Sequence, residues 1–221
     1  MKPFFVSDNL AAALVLSTAI AAVLLEWAVT LHERVAGEPV LGRRVRLAAA
    51  TLGEVTLLRT GERREEDRNT KWLMVGSAAV ALAVAWAAHQ RLPGLAFPAT
   101  EWPPTILGLA VIWTGVGLRA WAIVTLGRFF RRDVQVAADQ VVVRGGPYAA
   151  IRHPAYTGNL LVFAGFGLLL ANWASLAVLI VVPLLGVAPR ITVEESLLQA
   201  RFGEAYRRYA DETSRLIPHL W

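Results

Sequence analysis

The chain contains no cysteine. Disulfides, thiolate metal centres and a cysteine nucleophile are thereby excluded. Histidine is scarce as well. His32, His89, His153 and His219 are scattered with no HExxH run, so their spacing offers no metal site. A Walker loop, a GxGxxG turn behind a strand and a GxSxG elbow are all missing. There is no lysine-rich tail and no interleaving of basic with aromatic residues, so a nucleic-acid partner is not expected. What is abundant is apolar. Hydrophobic residues make up 56% of the 221, too many for an ordinary soluble domain, and they fall in long unbroken blocks. An all-α integral membrane protein is the expectation.

The blocks set the predicted architecture: about five transmembrane helices, the last two a tight hairpin, and an amphipathic C-terminal helix on the cytoplasmic side. Residues 10–31 read as a retained first span rather than a cleaved signal peptide. Residues 72–89 and 105–126 form the next two, separated by a short loop with prolines at 93, 98, 103 and 104. Residues 159–171 and 175–188 flank Asn172-Trp173 and make the hairpin, each arm short for a span. Pro183 and Pro189 are expected to bend or end its second arm. Gly115, Gly117, Gly165 and Gly167 lie in spans, where small residues serve helix packing.

Between the first two spans, Leu41, Val45, Ala48, Leu52 and Val55 share one helical face, which predicts an interfacial helix within 41–59. The tail, 190–216, reads as one amphipathic helix with a stripe of Val193, Leu197, Leu198 and Phe202. The basic side chains are concentrated in 33–71, 127–157 and the tail. Five crossings put all three on one side, which the positive-inside rule makes cytoplasmic. A single membrane domain covers 1–221. Its 1–126 part supplies spans and the interfacial helix, and 127–221 is the candidate cofactor-binding region.

That second part carries the polar chemistry. Gly145 and Gly146 permit unusual backbone angles. Pro147 and Pro154 stiffen the path, and Arg152 and His153 arrive at the membrane surface just before the hairpin. A helix start at His-Pro-x-Tyr-x-Gly can aim ring N–H, phenol O–H and backbone N–H groups at an anion. Arg190 and Glu194 are four apart and share a face. An arginine there can hold a carboxylate, and a glutamate can hold an ammonium. Spacing alone is equally served by a surface salt bridge at 190/194 and by an interfacial Tyr206/Tyr209 anchor.

In order and spacing, Gly-Pro-Tyr-x-x-x-Arg-His-Pro-x-Tyr-x-Gly from 146, Arg-x-x-x-Glu-Glu-x-x-Leu from 190 and Phe-Gly-x-x-Tyr-x-x-Tyr from 202 resemble the isoprenylcysteine carboxyl methyltransferase family. Its wider group includes phospholipid N-methyltransferases. The resemblance covers about 128–217. It implies S-adenosyl-L-methionine as cofactor and a lipid-like or prenylated substrate at the cytoplasmic face, with carboxyl O-methylation as the reaction. It also implies cofactor contacts from Gln135, from Gln140, Val141, Val142 and Val143, from Tyr148, from Arg152, His153, Pro154, Ala155 and Tyr156, and from Glu194. Arg190 is the implied substrate contact, and Glu195 would assist deprotonation if the nucleophile were an amine. Two other readings fit parts of the pattern. Membrane sterol reductases share an Arg-His/Asn-Pro-x-Tyr-x-Gly element and bind NADPH there, and a non-catalytic membrane scaffold needs no cofactor.

Overall fold

The structure, a computed structural model, describes residues 65–98, 102–130 and 141–218. The predicted first span and the 41–59 helix lie outside the described residues, as do Gln135 and Gln140. Among the described residues five α-helices follow in order: α1 (Glu65–Arg91), α2 (Trp102–Leu126), α3 (Pro154–Leu169), α4 (Trp173–Phe202) and α5 (Glu204–Glu212). Among the described residues there is no strand, only two isolated bridges, Ala96 with Asn172 and Ile151 with Ser214.

Asn69–Arg91, Pro103–Leu126 and Trp173–Phe202 are long and apolar enough to cross a membrane. Their outward faces carry Trp72, Trp86, Trp113, Trp121 and Trp173, all exposed, as expected of surfaces that lipid solvates. Helix α3 has 16 residues. At 1.5 Å per residue it reaches about 24 Å, short of a hydrocarbon core of about 30 Å.

Glycines set the spacing between α2 and α3. A Cβ on Gly115 would stand 2.5 Å from the carbonyl oxygen of Gly158, and one on Gly165 would stand 2.7 Å from that of Gly108. Both partners sit seven residues apart on their own helix, so two close contacts fall in register along an antiparallel pair. Gly167 lies against Leu176, and Gly186 of α4 lies against Ser77 of α1. These backbones approach closely because nothing projects between them. Gly117 has open space around it and takes no part.

The α3–α4 turn is tied to the loop after α1. Asn172 caps α4, accepting from the backbone N–H groups of Ala174 (3.0 Å) and Ser175 (3.1 Å). Its amide donates to Leu92 O at 2.9 Å, and Ser175 Oγ donates to Ala85 O at 2.8 Å. Both polar side chains are buried and satisfied, so neither costs an unpaired group. Helices α3 and α4 follow one another across this short turn, and α4 is longer than the apolar block 175–188. Helix α4 runs through Pro183 and Pro189 to Phe202, where Pro189 was expected to bend or end it. Each proline removes one backbone donor. The polar end of α4 nonetheless stays helical, gripped from outside by Tyr156, Arg152, His153 and Arg215.

The tail likewise differs from one continuous helix. Gly203, at φ +55°, ends α4, and α5 starts afresh. After α5 comes a strap, residues 213–216, that lies along the entry to α3. Arg152 N donates to Ser214 O (2.8 Å), His153 N to Arg215 O (3.0 Å), and Ser214 N to Ala150 O (3.2 Å). Leu216 pins the strap from below, packed with Val187 and Ile191 of α4.

Candidate active site

The start of α2, the α3–α4 turn and the loop after α1 share one end of the bundle. The turn before α3, the polar end of α4, α5 and the strap gather at the other. Into that second end the chain runs from Val141 to Arg144 as coil, with Val141 exposed and Val142 and Val143 half-buried. Gly146 then takes φ +56°, and a Cβ there would lie 2.8 Å from Thr125 Oγ1 of α2. Both the angle and the space require glycine. Gly145 is extended and unconfined, so only one of the two glycines is conformationally demanded.

Beyond it the backbone makes a short 3-10 turn, Gly146–Ala149, that buries Pro147 and Tyr148. Arg144 reaches across to α5, donating to Glu212 Oε2 (3.0 Å) and Ala205 O (3.2 Å), with its guanidinium over the Tyr209 ring. The Tyr209 hydroxyl donates back to Tyr148 O at 2.9 Å. Helix α5 is thus clasped to the turn. Burial pushes the Tyr209 phenol up to about 12, although Arg152 and Arg144 pull it down. Burial likewise raises Tyr148 and Tyr206, with nearby carboxylates adding to it. All three stay protonated at neutral pH, and of them Tyr209 donates within the clasp.

Pro154 opens α3 at its first turn, where its missing N–H costs nothing. Ala155 O accepts from Arg119 of α2 at 3.4 Å. His153, just before the helix, is 4% exposed, and its ring stacks on Tyr156. The Tyr156 hydroxyl donates to Glu194 Oε2 at 3.0 Å, and Arg190 Nε donates to that same hydroxyl at 3.0 Å. Arg190 itself is 2% exposed. An ordered chain of Arg190, Tyr156 and Glu194 results, with positive and negative charge at its two ends. His153 Nδ1 lies 3.9 Å from Glu194 Oε2. The two polar segments, forty residues apart in the chain, therefore meet at one place.

Glu195 points the other way around the helix and is fully occupied. Its Oε1 accepts from Arg152 Nε (2.8 Å) and faces His153 Nε2 (3.3 Å), and its Oε2 accepts from Arg215 Nε (3.0 Å). Arg152 has further partners in Ala210 O and Thr213 O. So Arg152, grouped by sequence with the cofactor contacts, spends its donors on Glu195, α5 and the strap. Arg215 and the strap carry no motif and give no signal in the sequence. Tyr206 reads in sequence as an interfacial anchor. Its hydroxyl is the buried side-chain polar atom without a hydrogen-bond partner among the described residues. The described residues contain no cluster of three metal-ligating side chains.

Residues 104–205 match the family model described as phospholipid methyltransferase. The chain is 34% identical over 122 residues to protein-S-isoprenylcysteine O-methyltransferase B of Arabidopsis thaliana, covering 54% of this chain and 62% of that protein. It is 29% identical over 144 residues to a probable protein-S-isoprenylcysteine O-methyltransferase of Oryza sativa subsp. indica, covering 63% and 75%. Among solved structures it is similar to the eukaryotic intramembrane Ras methyltransferase, an isoprenylcysteine carboxyl methyltransferase, with TM-score 0.55 and 30% identity over 66% of this chain and 52% of that one. The matched stretch thus spans less than two thirds of the Arabidopsis protein and about half of the solved chain. The resemblance read from the motifs is shown by these matches.

Proposed function

We propose, for a chain whose second half is similar to phospholipid and isoprenylcysteine carboxyl methyltransferases, that it is an S-adenosylmethionine-dependent methyltransferase of the membrane. Its substrate is lipid-like or prenylated, its reaction is carboxyl O-methylation, and its site opens on the cytoplasmic face. The observation that carries this reading is the meeting of His153 with Glu194 at 3.9 Å, joined through Tyr156 to Arg190.

The residues suit such a donor, which carries an ammonium, a carboxylate and a sulfonium. Glu194 has a side chain 31% exposed, so a carboxylate is available to an ammonium. Arg190 supplies the opposite sign within the same hydrogen-bonded chain. When bound, the donor would supply an electrophilic methyl carbon, the C–O bond to a substrate carboxylate forming in line as the C–S bond breaks and the neutral thioether leaves. A carboxylate is already ionised at neutral pH and needs no strong base. What remains for the protein is alignment and exclusion of water.

In this reading Arg190, at the boundary between the apolar and polar parts of α4, holds the substrate carboxylate. Tyr156 fixes the arginine to the cofactor side. Tyr148 and Val141 to Val143 line the approach on the loop side. The tryptophan-rich, lipid-facing surfaces of α1, α2 and α4 keep the site next to a bilayer. The proposed role of Glu195 changes. A carboxylate already bound by two arginines and a histidine is a poor proton acceptor, so it is assigned to holding the site together, as is Arg152.

The test is transfer from methyl-labelled S-adenosylmethionine, in nanodiscs, to a prenylcysteine analogue and to a bacterial lipid extract. Base-labile label in either acceptor is the expected result. Binding of NADPH in place of S-adenosylhomocysteine would overturn the reading.

A further inference from the structure

Three groups on two separate segments converge on the Glu195 carboxylate, and only one of them belongs to the chain of contacts just described. Arg152 and Arg215 neutralise it from both sides, while His153 Nε2 faces Oε1 at 3.3 Å. The side chains of Glu195 and His153 are 14% and 3% exposed, so water does not compete for this contact. The strap holds the same histidine through its backbone, His153 N donating to Arg215 O. Thr157 Oγ1 adds a bond to Leu216 O at 2.9 Å.

We propose that Glu195, held ionised between Arg152 and Arg215, is a positioning residue that keeps His153 as the Nε2–H tautomer, so that Nδ1 joins Glu194 in accepting the ammonium of the methyl donor. The inference rests on the methyltransferase reading for the identity of that ammonium. Its first step does not. A carboxylate is an acceptor only, so the imidazole nitrogen facing it carries the proton. In a neutral imidazole the other nitrogen then bears a lone pair. Here that nitrogen is Nδ1, which lies 3.9 Å from Glu194 Oε2. This separation is too long for a direct hydrogen bond and suits a shared donor placed between two acceptors. The strap closes the arrangement. Arg215 binds Glu195 with its side chain and His153 with its backbone carbonyl, fixing both ends of the contact from one residue.

Tautomers are read directly from ¹⁵N–¹H two-bond correlations of the imidazole. The experiment uses the full chain in nanodiscs at pH 8 without ligand, with His153 assigned by its loss in His153→Gln. A protonated Nε2 and an unprotonated Nδ1 are expected, whereas an Nδ1–H tautomer or an imidazolium would overturn the inference. In Glu195→Ala the single tautomer is expected to give way to a mixture, with S-adenosylhomocysteine binding weakened at least tenfold. An unchanged His153 signature in that variant would also overturn it. Should Glu195→Ala fail to fold, Arg215→Ala decides, since that side chain is 39% exposed. It is expected to weaken binding several-fold, with affinity recovered in Arg215→Lys. Equal affinity in all three forms would count against the strap. The two readings fail separately. If the wild type does not bind S-adenosylhomocysteine, the methyltransferase reading falls and the tautomer result stands. If it binds but His153 carries its proton on Nδ1, only the present inference falls.

Discussion

Arg190 and Tyr156 are joined by a hydrogen bond of 3.0 Å from the guanidinium Nε to the phenol oxygen, between the polar end of α4 and the first turn of α3. The phenol in turn donates a hydrogen bond to Glu194. One hydroxyl therefore sets the distance between the only buried arginine described and the carboxylate assigned to the cofactor. Tyr156→Phe keeps the ring that stacks on His153 but severs both bonds. Hydrogen bonds involving charged groups are worth about 1.5–3 kcal/mol. The expected outcome is a loss in kcat/KM of roughly 10- to 100-fold at each acceptor, with protein yield and thermal midpoint close to wild type.

Glu194→Ala and Arg190→Ala separate the two ends of that chain. The glutamate is half-exposed and faces the proposed ammonium, so its removal is expected to weaken S-adenosylhomocysteine binding by about tenfold or more. The arginine variant is expected to retain affinity within a few-fold and to lose turnover. Titration calorimetry and methyl-transfer rates check the pair. Unchanged cofactor affinity in the glutamate variant would remove it from the site.

Packing of α2 on α3 gives a test that does not involve chemistry. In Gly158→Ala the new Cβ would stand 2.6 Å from Gly115 O and 2.9 Å from Arg119 Cβ, forcing the helices apart. Overpacking of this kind costs about 1–3 kcal/mol. Gly117→Ala on the same helix as Gly115 meets nothing within 4 Å, and exchanging glycine for alanine inside a helix gains up to about 1 kcal/mol. Thermal unfolding in detergent should therefore move down for Gly158→Ala and stay level or rise for Gly117→Ala.

Alkaline pH probes the clasp between α5 and the turn before α3. The Tyr209 phenol is held up to about 12 by burial, against about 10 when unfolded. A folded-state value above the unfolded one means that its contribution is complete below pH 10 and is lost as pH rises from there through 12. Stability is expected to decline across that window. Tyr209→Phe lowers stability at neutral pH, since it removes the bond to Tyr148 O, and it flattens the decline. An equally steep decline in the variant would show that another group dominates.

The helices of span length and the turn at Asn172 were legible because each has a local signal, whereas His153 and Glu194 were linked only through the resemblance of their motifs. Apolar runs of span length mark α1 and α2, Asn172 marks the turn, and Arg190 and Glu194 fall on one face by spacing. The strap was not legible. Ser214, Arg215 and Leu216 form no regular element, and they matter only because α5 returns them to Arg152 and His153 after the turn at Gly203. The continuity of α4 through Pro189 was hidden for the same reason. A proline's local cost is visible in sequence, whereas the side chains that hold the following turn come from residues 152–156 and 215. Arg152 was read by its neighbours in the motif, although its partners lie at 195, 210 and 213.

Tyr206 offers a test in which losing a polar group is expected to help the empty protein. Its hydroxyl is buried on α5 without a partner among the described residues, and burial beside Glu195 keeps it protonated. An unsatisfied buried hydroxyl carries a desolvation penalty of about 1–3 kcal/mol. Tyr206→Phe removes that penalty and keeps the ring, including its edge contact with Tyr209. The thermal midpoint without ligand is expected to rise by a few degrees. If the hydroxyl gains a partner when the methyl donor binds, the same variant will show a smaller stabilisation by S-adenosylhomocysteine than wild type. A fall in the ligand-free midpoint would mean that Tyr206 already has a partner, a bound water for instance, and the orphan assignment would be withdrawn.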